Sequence, residues 1–177
     1  MSPTEMLARL ARRLANPGNT AGNVPGLSMG DHAALRRMEP LAAGRAARVV
    51  YGLLAELDVP LDHAELVQRW TVLIHALALA HGAHEKSISI GTALFAINFG
   101  EARLEQLLSA DFAVLADIVP RLARRLHSKS QRMDFSQLTN LLLNIDRDSD
   151  KAEKARQDIA KSFVIAAHHE KESRKAS

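Results

Sequence analysis

Histidine and aspartate are the residue types of this sequence whose spacing comes closest to a metal site. His81 and His84 stand three residues apart, but Gly82 between them predicts a break in the helix that would align them. Aspartates alternate from Asp146 to Asp150, yet the glycine and glutamate that a calcium loop requires at its sixth and twelfth positions are missing. The sequence therefore predicts neither a metal ion nor a cofactor.

Motifs for nucleotide binding and covalent catalysis are also incomplete. Glycines recur every four residues from Gly18 to Gly30, but no Gly-Lys-Ser/Thr follows them and no predicted strand precedes them. The absence of cysteine excludes thiolate metal sites, disulfides and cysteine nucleophiles. Since no pattern pairs a nucleophile with a base, we predict that the protein is not an enzyme.

Arginine is the remaining residue type that could carry a function. Pairs at 12–13, 36–37 and 124–125 fall on the surfaces of predicted helices, and guanidinium forks match the geometry of phosphate. The aromatic residues are Trp70, Tyr51 and five phenylalanines, most of them at core-like positions, so stacking on bases is not expected. Any nucleic-acid binding should be to the backbone, tolerant of sequence and dependent on salt.

Charge is segregated along the chain. Residues 1–48 hold seven arginines against three acidic residues, and residues 121–177 hold 13 basic against eight acidic residues. Residues 49–120 reverse the balance, with nine acidic and three basic residues. The basic ends could attract phosphate backbones, and the acidic middle could meet a basic partner.

Helical periodicity covers nearly the whole chain and predicts an all-α, compact helical bundle. Capping patterns predict helices that begin near Ser2, Ser28, Asp62, Asp111 and Asp134. A further helix is predicted over 41–57 and a last one from Ser149 into the 160s, whereas residues 16–29 have the composition of an exposed loop. Gly100 could divide two lobes, 1–99 and 100–177, although connections this short also suit one domain.

The most apolar segment, residues 70–80, is predicted to be the buried centre of the bundle. It is shorter than the roughly 20 residues that a membrane span requires, and the N-terminus lacks the pattern of a signal peptide, so we expect a cytoplasmic protein. On the helix that begins near Asp111, we expect Arg121, Arg124 and Arg125 to form one cationic face opposite the apolar arc.

Several short motifs in order along the chain resemble those of a known family. They are residues 30–37 (GDHAALRR), Trp70, 90–94 (IGTAL), 101–104 (EARL), 125–129 (RLHSK), 134–135 (DF) and 159–163 (IAKSF). The chain resembles the CasB family, the small subunit of the type I-E CRISPR effector complex Cascade. The resemblance extends over nearly the whole sequence.

The resemblance implies an all-helical, non-enzymatic subunit present in two copies per complex. Its implied partners are the backbone and large subunits of Cascade, the guide RNA (crRNA), the target and displaced DNA strands, and its own second copy. In this family the small subunit lies along the inner face of the guide-bearing backbone and helps to hold the DNA strands of the R-loop, while guide pairing reads the sequence.

Nine basic residues are candidates for contact with nucleic acid. Five match the family motifs, namely Arg36, Arg37, Arg103, Arg125 and Lys129. Four join them on charge geometry, namely Arg121, Arg124, Arg132 and Lys161. The sequence departs from the family pattern at His32, Gly100 and Glu105, where a basic residue, a serine and an arginine are usual.

Two other classes of function are compatible with the same residues. A structural helical spacer would use its acidic middle and basic ends for protein contacts alone, and reversing the arginine charges would then dismantle the assembly. A stand-alone helix-turn-helix regulator would bind duplex DNA with sequence preference, although no helix pair clusters Asn, Gln and Arg on one recognition face. For Arg103 an ion pair with Glu101 or Glu105 is a further alternative.

Overall fold

The computed structural model describes residues 1–15, 17–18 and 26–175, and within these ranges the chain is helical without strands. The helices in these ranges are α1 (Pro3–Ala15), α2 (Met29–Arg37), α3 (Ala47–Glu56), α4 (Ala64–Leu79), α5 (Ile90–Ala96), α6 (Glu101–Ser109), α7 (Phe112–Ser128), α8 (Ser136–Asn144) and α9 (Ser149–Lys175). The predicted all-α class is confirmed. Most of the loop predicted over 16–29 lies outside the described residues.

Side-chain caps begin three helices where the sequence predicts them. Ser2 and Glu5 form a capping box ahead of α1, in which the carboxylate accepts a hydrogen bond from the Ser2 backbone N–H at 2.7 Å. The Ser28 hydroxyl accepts the N–H of Asp31 at 3.0 Å at the start of α2. Asp111 accepts the N–H three residues onward at 2.9 Å at the start of α7. These side chains satisfy N–H groups that have no partner within the helix.

The caps predicted at Asp62 and Asp134 are each wrong by one residue, because His63 and Phe135 occupy the cap positions. Asp62 lies inside a turn closed by the N–H of His63 donating to Pro60 O at 3.3 Å, so α4 begins only after His63 and has no side-chain cap. Asp134 accepts the N–H of Ser136 at 2.8 Å and forms a local turn ahead of α8. In both places the aspartate shapes the approach to the helix and does not cap it.

Two other predicted helices differ in length. The predicted helix over 41–57 is a 3₁₀ turn at Gly44–Ala46 followed by α3, because Gly44, the first residue of that turn, adopts a φ of 50° that a right-handed α-helix does not contain. The last helix continues past the 160s to Lys175.

Helix α4 is the centre of the core. From Val67 to Leu79 every residue except Gln68 is buried, as its apolar composition predicts. Helices α1, α2, α3, α7 and α8 pack on α4, and α9 packs on α5, α6 and α8. Helices from either side of residue 100 therefore pack together, and the division into lobes at 1–99 and 100–177 stays a prediction.

A close seam joins α5 to α9. The N–H of Gly91 donates to the Ser162 hydroxyl at 3.0 Å, and a Cβ at residue 91 would lie 2.0 Å from the carbonyl carbon of Ser162. Only glycine fits this approach. The motifs at 90–94 and 159–163 thus meet in the fold. Among the described helices, none combines the length and apolar character needed to cross a bilayer.

Candidate nucleic-acid interface

Two helices that carry candidate arginines are anchored on α4. The buried His75 of α4 donates from Nδ1 to Leu35 O of α2 at 2.7 Å, next to Arg36 and Arg37. Burial lowers the pKa of His75, so the ring stays neutral at this contact. Helix α7, which carries Arg124, packs on α4 as well. The three arginines are therefore positioned from one buried helix.

Arg36, Arg37 and Arg124 line a cavity of about 370 Å³ between α2 and α7, together with Ala33, Leu79 and His127. All three arginines are exposed. Among the described residues, no acidic side chain lines this cavity. Within the described part of the chain, none of the three arginines forms an ion pair, so their guanidinium groups are available to an outside anion.

His127 also lines a second cavity, of about 670 Å³, so the two cavities share this residue. Arg12 and Arg132 line this second part, with His81 and His84 on its wall and again no acidic residue in the lining. Arg12 donates from Nε to the carbonyl of Ala8 at 3.3 Å, and Arg132 lies 3.6 Å from Glu85 outside the lining. We call these two cavities, which share His127, the arginine furrow.

The cationic face predicted for α7 is divided in two. Successive helical residues turn by about 100°, so Arg121 and Arg125 lie on one side and Arg124 with His127 on another. Arg103, Arg121 and Arg125 line a separate cavity of about 290 Å³, which also contains Asp117. The cluster predicted on α7 is thus divided: Arg124 lies in the furrow, and Arg121 and Arg125 lie beside α6.

Two of the three arginines in this separate cavity have partners within the protein. Arg125 is half-buried and donates from Nη2 to Ile97 O at 2.8 Å and to Asn98 O at 3.1 Å. Arg121 pairs with Asp117 at 2.8 Å. Arg103 forms no ion pair with any described residue, which removes the alternative of a pair with a glutamate of its own helix.

The two candidate lysines stand apart from these cavities. Lys129 is exposed at the C-terminal end of α7, where its backbone N–H donates to Arg125 O at 3.2 Å. Lys161 is exposed on α9. Neither residue lines the furrow or the cavity beside α6.

The furrow also contains residues that are not among the sequence candidates. Arg12 was visible in sequence as part of a surface pair, but its place beside Arg132 depends on α1 packing against the loop after α4. His81 and His127 stack with ring centroids 4.2 Å apart and planes 13° from parallel. No spacing rule links these histidines, because they are 46 positions apart in the chain. Only the tertiary structure brings them together.

Burial keeps two histidine rings beside the furrow, His81 and His32, neutral. Burial, followed by the nearby charges of His127, Arg36 and His32, lowers the pKa of His81 to about 4. Burial, with Arg36 next, also lowers the pKa of His32. These two rings therefore add no positive charge at neutral pH, whereas the arginines stay protonated and offer paired donors to phosphate oxygens. The arrangement is suited to binding a phosphate backbone.

Comparison with protein families agrees with the sequence motifs. The family model described as CRISPR-associated protein Cse2 matches residues 31–163, a range that runs from within α2 through α8 and includes the seam between α5 and α9. Searches of curated proteins and of solved structures give no match. The matched range covers well over half of the chain, so the protein belongs to the Cse2 (CasB) family, the small subunit of the type I-E CRISPR Cascade complex.

Proposed function

We propose that this Cascade subunit stabilises the target and displaced DNA strands of the R-loop through contacts with their phosphate backbones, without catalysis. The observation that carries the proposal is the arginine furrow, in which Arg36, Arg37 and Arg124 face an acid-free cavity without ion pairs. Exposed arginines that have no internal partner can form charge-assisted bonds with phosphate at no cost to the fold. Sequence is left to guide pairing, as in other RNA-guided complexes.

The remaining candidates contribute to different degrees. Arg12 and Arg132 extend the furrow, and Arg103 offers a second cationic point beside α6. Arg121 and Arg125 already have internal partners, so we assign them smaller roles in binding. Lys129 and Lys161 are exposed single charges that add to the long-range attraction for DNA.

Family membership places the chain in a multi-subunit assembly. We propose that its partners there are the backbone and large subunits, the crRNA and a second copy of itself, and that it acts in the cytoplasm. Because the furrow reads phosphate and not base edges, its strength should be independent of the target sequence.

Charge reversal of the furrow arginines in reconstituted Cascade tests the proposal. The triple variant R36E/R37E/R124E should shorten the lifetime of the R-loop, because it replaces three attractions to phosphate by three repulsions. A matched control reverses the charge of three exposed lysines of α9, in the variant K151E/K154E/K171E. None of these lysines lines the furrow. This control has the same change in net charge and should retain most of the R-loop lifetime.

Assembly is measured in parallel by native mass spectrometry of the complex. Loss of R-loop lifetime with the small subunit still present supports the proposal. Loss of the subunit from the particle would instead favour a structural spacer. Duplex binding by the isolated protein that survives competition with random DNA would favour a helix-turn-helix regulator.

A further inference from the structure

Three histidine rings form a column beneath the arginine furrow. The ring of His32 is 4% exposed and lies against His81, with centroids 5.0 Å apart and planes inclined by 54°. His81 in turn stacks nearly parallel on His127 at 4.2 Å. The column starts in the core and ends at an exposed ring, because His127 is exposed and lines both parts of the furrow.

The column is not arranged as a metal site. Stacked rings present their faces to one another, whereas metal ligation requires ring nitrogens that converge on one point. No group of three or more potential metal ligands occurs among the described residues. The lower rings therefore act as support, and the stack with His81 restricts the rotation of the His127 side chain.

Arginines line both of the cavities that share the exposed ring of His127. Arg36, Arg37 and Arg124 line the first part of the furrow, and Arg12 and Arg132 line the second, with His127 shared between them. A single strand of nucleic acid alternates phosphates with unpaired bases, and single-strand-binding sites combine cationic grooves with aromatic rings on which bases stack. A duplex offers no base face to such a ring, since its bases are already stacked.

We propose that His127 is a stacking platform for a base of an unpaired DNA strand that crosses the arginine furrow. The inference rests on the proposed function and makes it more specific, because it selects single-stranded segments as the ligand of this furrow. It departs from the sequence-based expectation that bases are not stacked, because the ring used is an imidazole and not Trp, Tyr or Phe.

A cycle that combines a protein variant with an abasic DNA substitution tests this inference in reconstituted Cascade. His127→Ala should shorten the R-loop lifetime by about fivefold or more, as expected for one base–aromatic stack. His127→Phe keeps an aromatic ring and should retain the lifetime. An abasic site is placed at successive positions along each unpaired strand. At one position, it should remove the difference in R-loop lifetime between wild type and H127A. Thermal melting of each variant ensures that only folded protein is compared.

The outcomes separate this inference from the proposed function. Equal lifetimes for H127A and H127F, or a difference that no abasic position removes, would overturn the stacking role. If R36E/R37E/R124E weakens the R-loop while H127A does not, the phosphate contacts stand and the platform fails. If the arginine variant has no effect, the proposed function itself fails.

Discussion

Arginines of the furrow and arginines of the interior differ in what their guanidinium groups contact. Arg36, Arg37 and Arg124 are exposed and have no ion pair among the described residues. Arg69 is 2% exposed, donates to Leu142 O at 2.6 Å, pairs with Glu65 and lies over the ring of Phe112. The interior residue is bound on every side by its own protein.

The contrast follows from the energetics of desolvation. A guanidinium removed from water needs hydrogen-bond acceptors within the protein, so burial and internal partners come together. A guanidinium at the surface keeps its hydration and can exchange it for a phosphate. An exposed arginine without an internal partner is therefore available to a ligand, whereas a buried arginine with internal partners is used by the fold. The following variants are ordered by their expected effect on the free energy of unfolding.

Arg69→Ala should give the largest destabilisation. The variant leaves a cavity beside Phe112 and removes the donor to the buried carbonyl of Leu142. We expect a loss of about 2–4 kcal/mol from these two effects together, measured by urea unfolding followed by circular dichroism. Arg48→Ala is the control, because Arg48 is 81% exposed in its pair with Asp31 and such pairs contribute about 0–1 kcal/mol. Equal losses for the two variants would contradict the comparison.

Arg125→Ala should be the next most destabilising. It removes the hydrogen bonds that its guanidinium donates to the carbonyls of Ile97 and Asn98 after α5. Bonds from a charged donor contribute about 1.5–3 kcal/mol, and we expect a loss in that range by urea unfolding. Any weakening of DNA binding should then scale with the unfolded fraction. A variant as stable as wild type that binds DNA poorly would place Arg125 with the furrow arginines.

Acidification should destabilise the protein between about pH 6.5 and pH 4. The folded-state pKa of His81 is lowered to about 4, below the ordinary value of 6.5, so the unfolded state binds more protons in this window. The contribution of His81 to the free energy of unfolding is therefore fully present above pH 6.5 and is lost as the pH falls toward 4. Burial lowers the pKa values of His32 and His75 in the same direction.

Thermal melting at pH 7 and pH 5 measures this effect. A loss of about 1 kcal/mol would lower Tm by about 2–4 °C in a chain of this size. His81→Gln, which cannot titrate, should reduce the difference in Tm between the two pH values. If this substitution left the difference in Tm unchanged, His81 would bind protons equally in the folded and unfolded states.

Arg121→Ala should have a small effect on stability. Its pair with Asp117 joins two exposed residues one helical turn apart, an arrangement that contributes about 0.3–0.5 kcal/mol. We expect a difference of that size by urea unfolding, reduced further by 0.5 M salt. A loss comparable to that of Arg125→Ala would mean that the exposed pair has a structural role which its geometry does not suggest.

The furrow arginines should have the smallest effect on stability. Single substitutions R36A, R37A and R124A should each change the free energy of unfolding by no more than about 0.5 kcal/mol, since each side chain is exposed and unpaired. The same variants should weaken R-loop stability. A marked loss of folding stability in any of them would reveal an internal contact and remove that residue from the binding surface.

Much of the fold could be predicted because its signals are local. Ser28 and Asp111 cap helices through bonds to residues three positions away, and the apolar face of α4 repeats within one segment. The starts at Asp62 and Asp134 could not be placed, because an aspartate serves a turn and a helix cap equally well. A local sequence pattern therefore identifies a helix cap only where the same aspartate cannot form a turn just before the helix.

The candidate site was less predictable, because its geometry depends on distant segments. Sequence identified Arg124 and Arg125 as a pair, but the carbonyls of Ile97 and Asn98 that engage only one of them lie more than 25 positions away. The stacked histidines likewise come from the loop after α4 and the end of α7. Charge can be read from sequence, whereas the choice between an internal and an external partner requires the fold.

The salt dependence of R-loop stability tests the central claim most directly. The neutral variant R36Q/R37Q/R124Q and wild-type Cascade are compared from about 50 to 300 mM salt, with the logarithm of affinity plotted against the logarithm of salt concentration. If three phosphate contacts are lost, the slope should become shallower by about 2–3 for each copy of the subunit in the complex. Parallel lines would contradict the claim that these arginines bind the phosphate backbone.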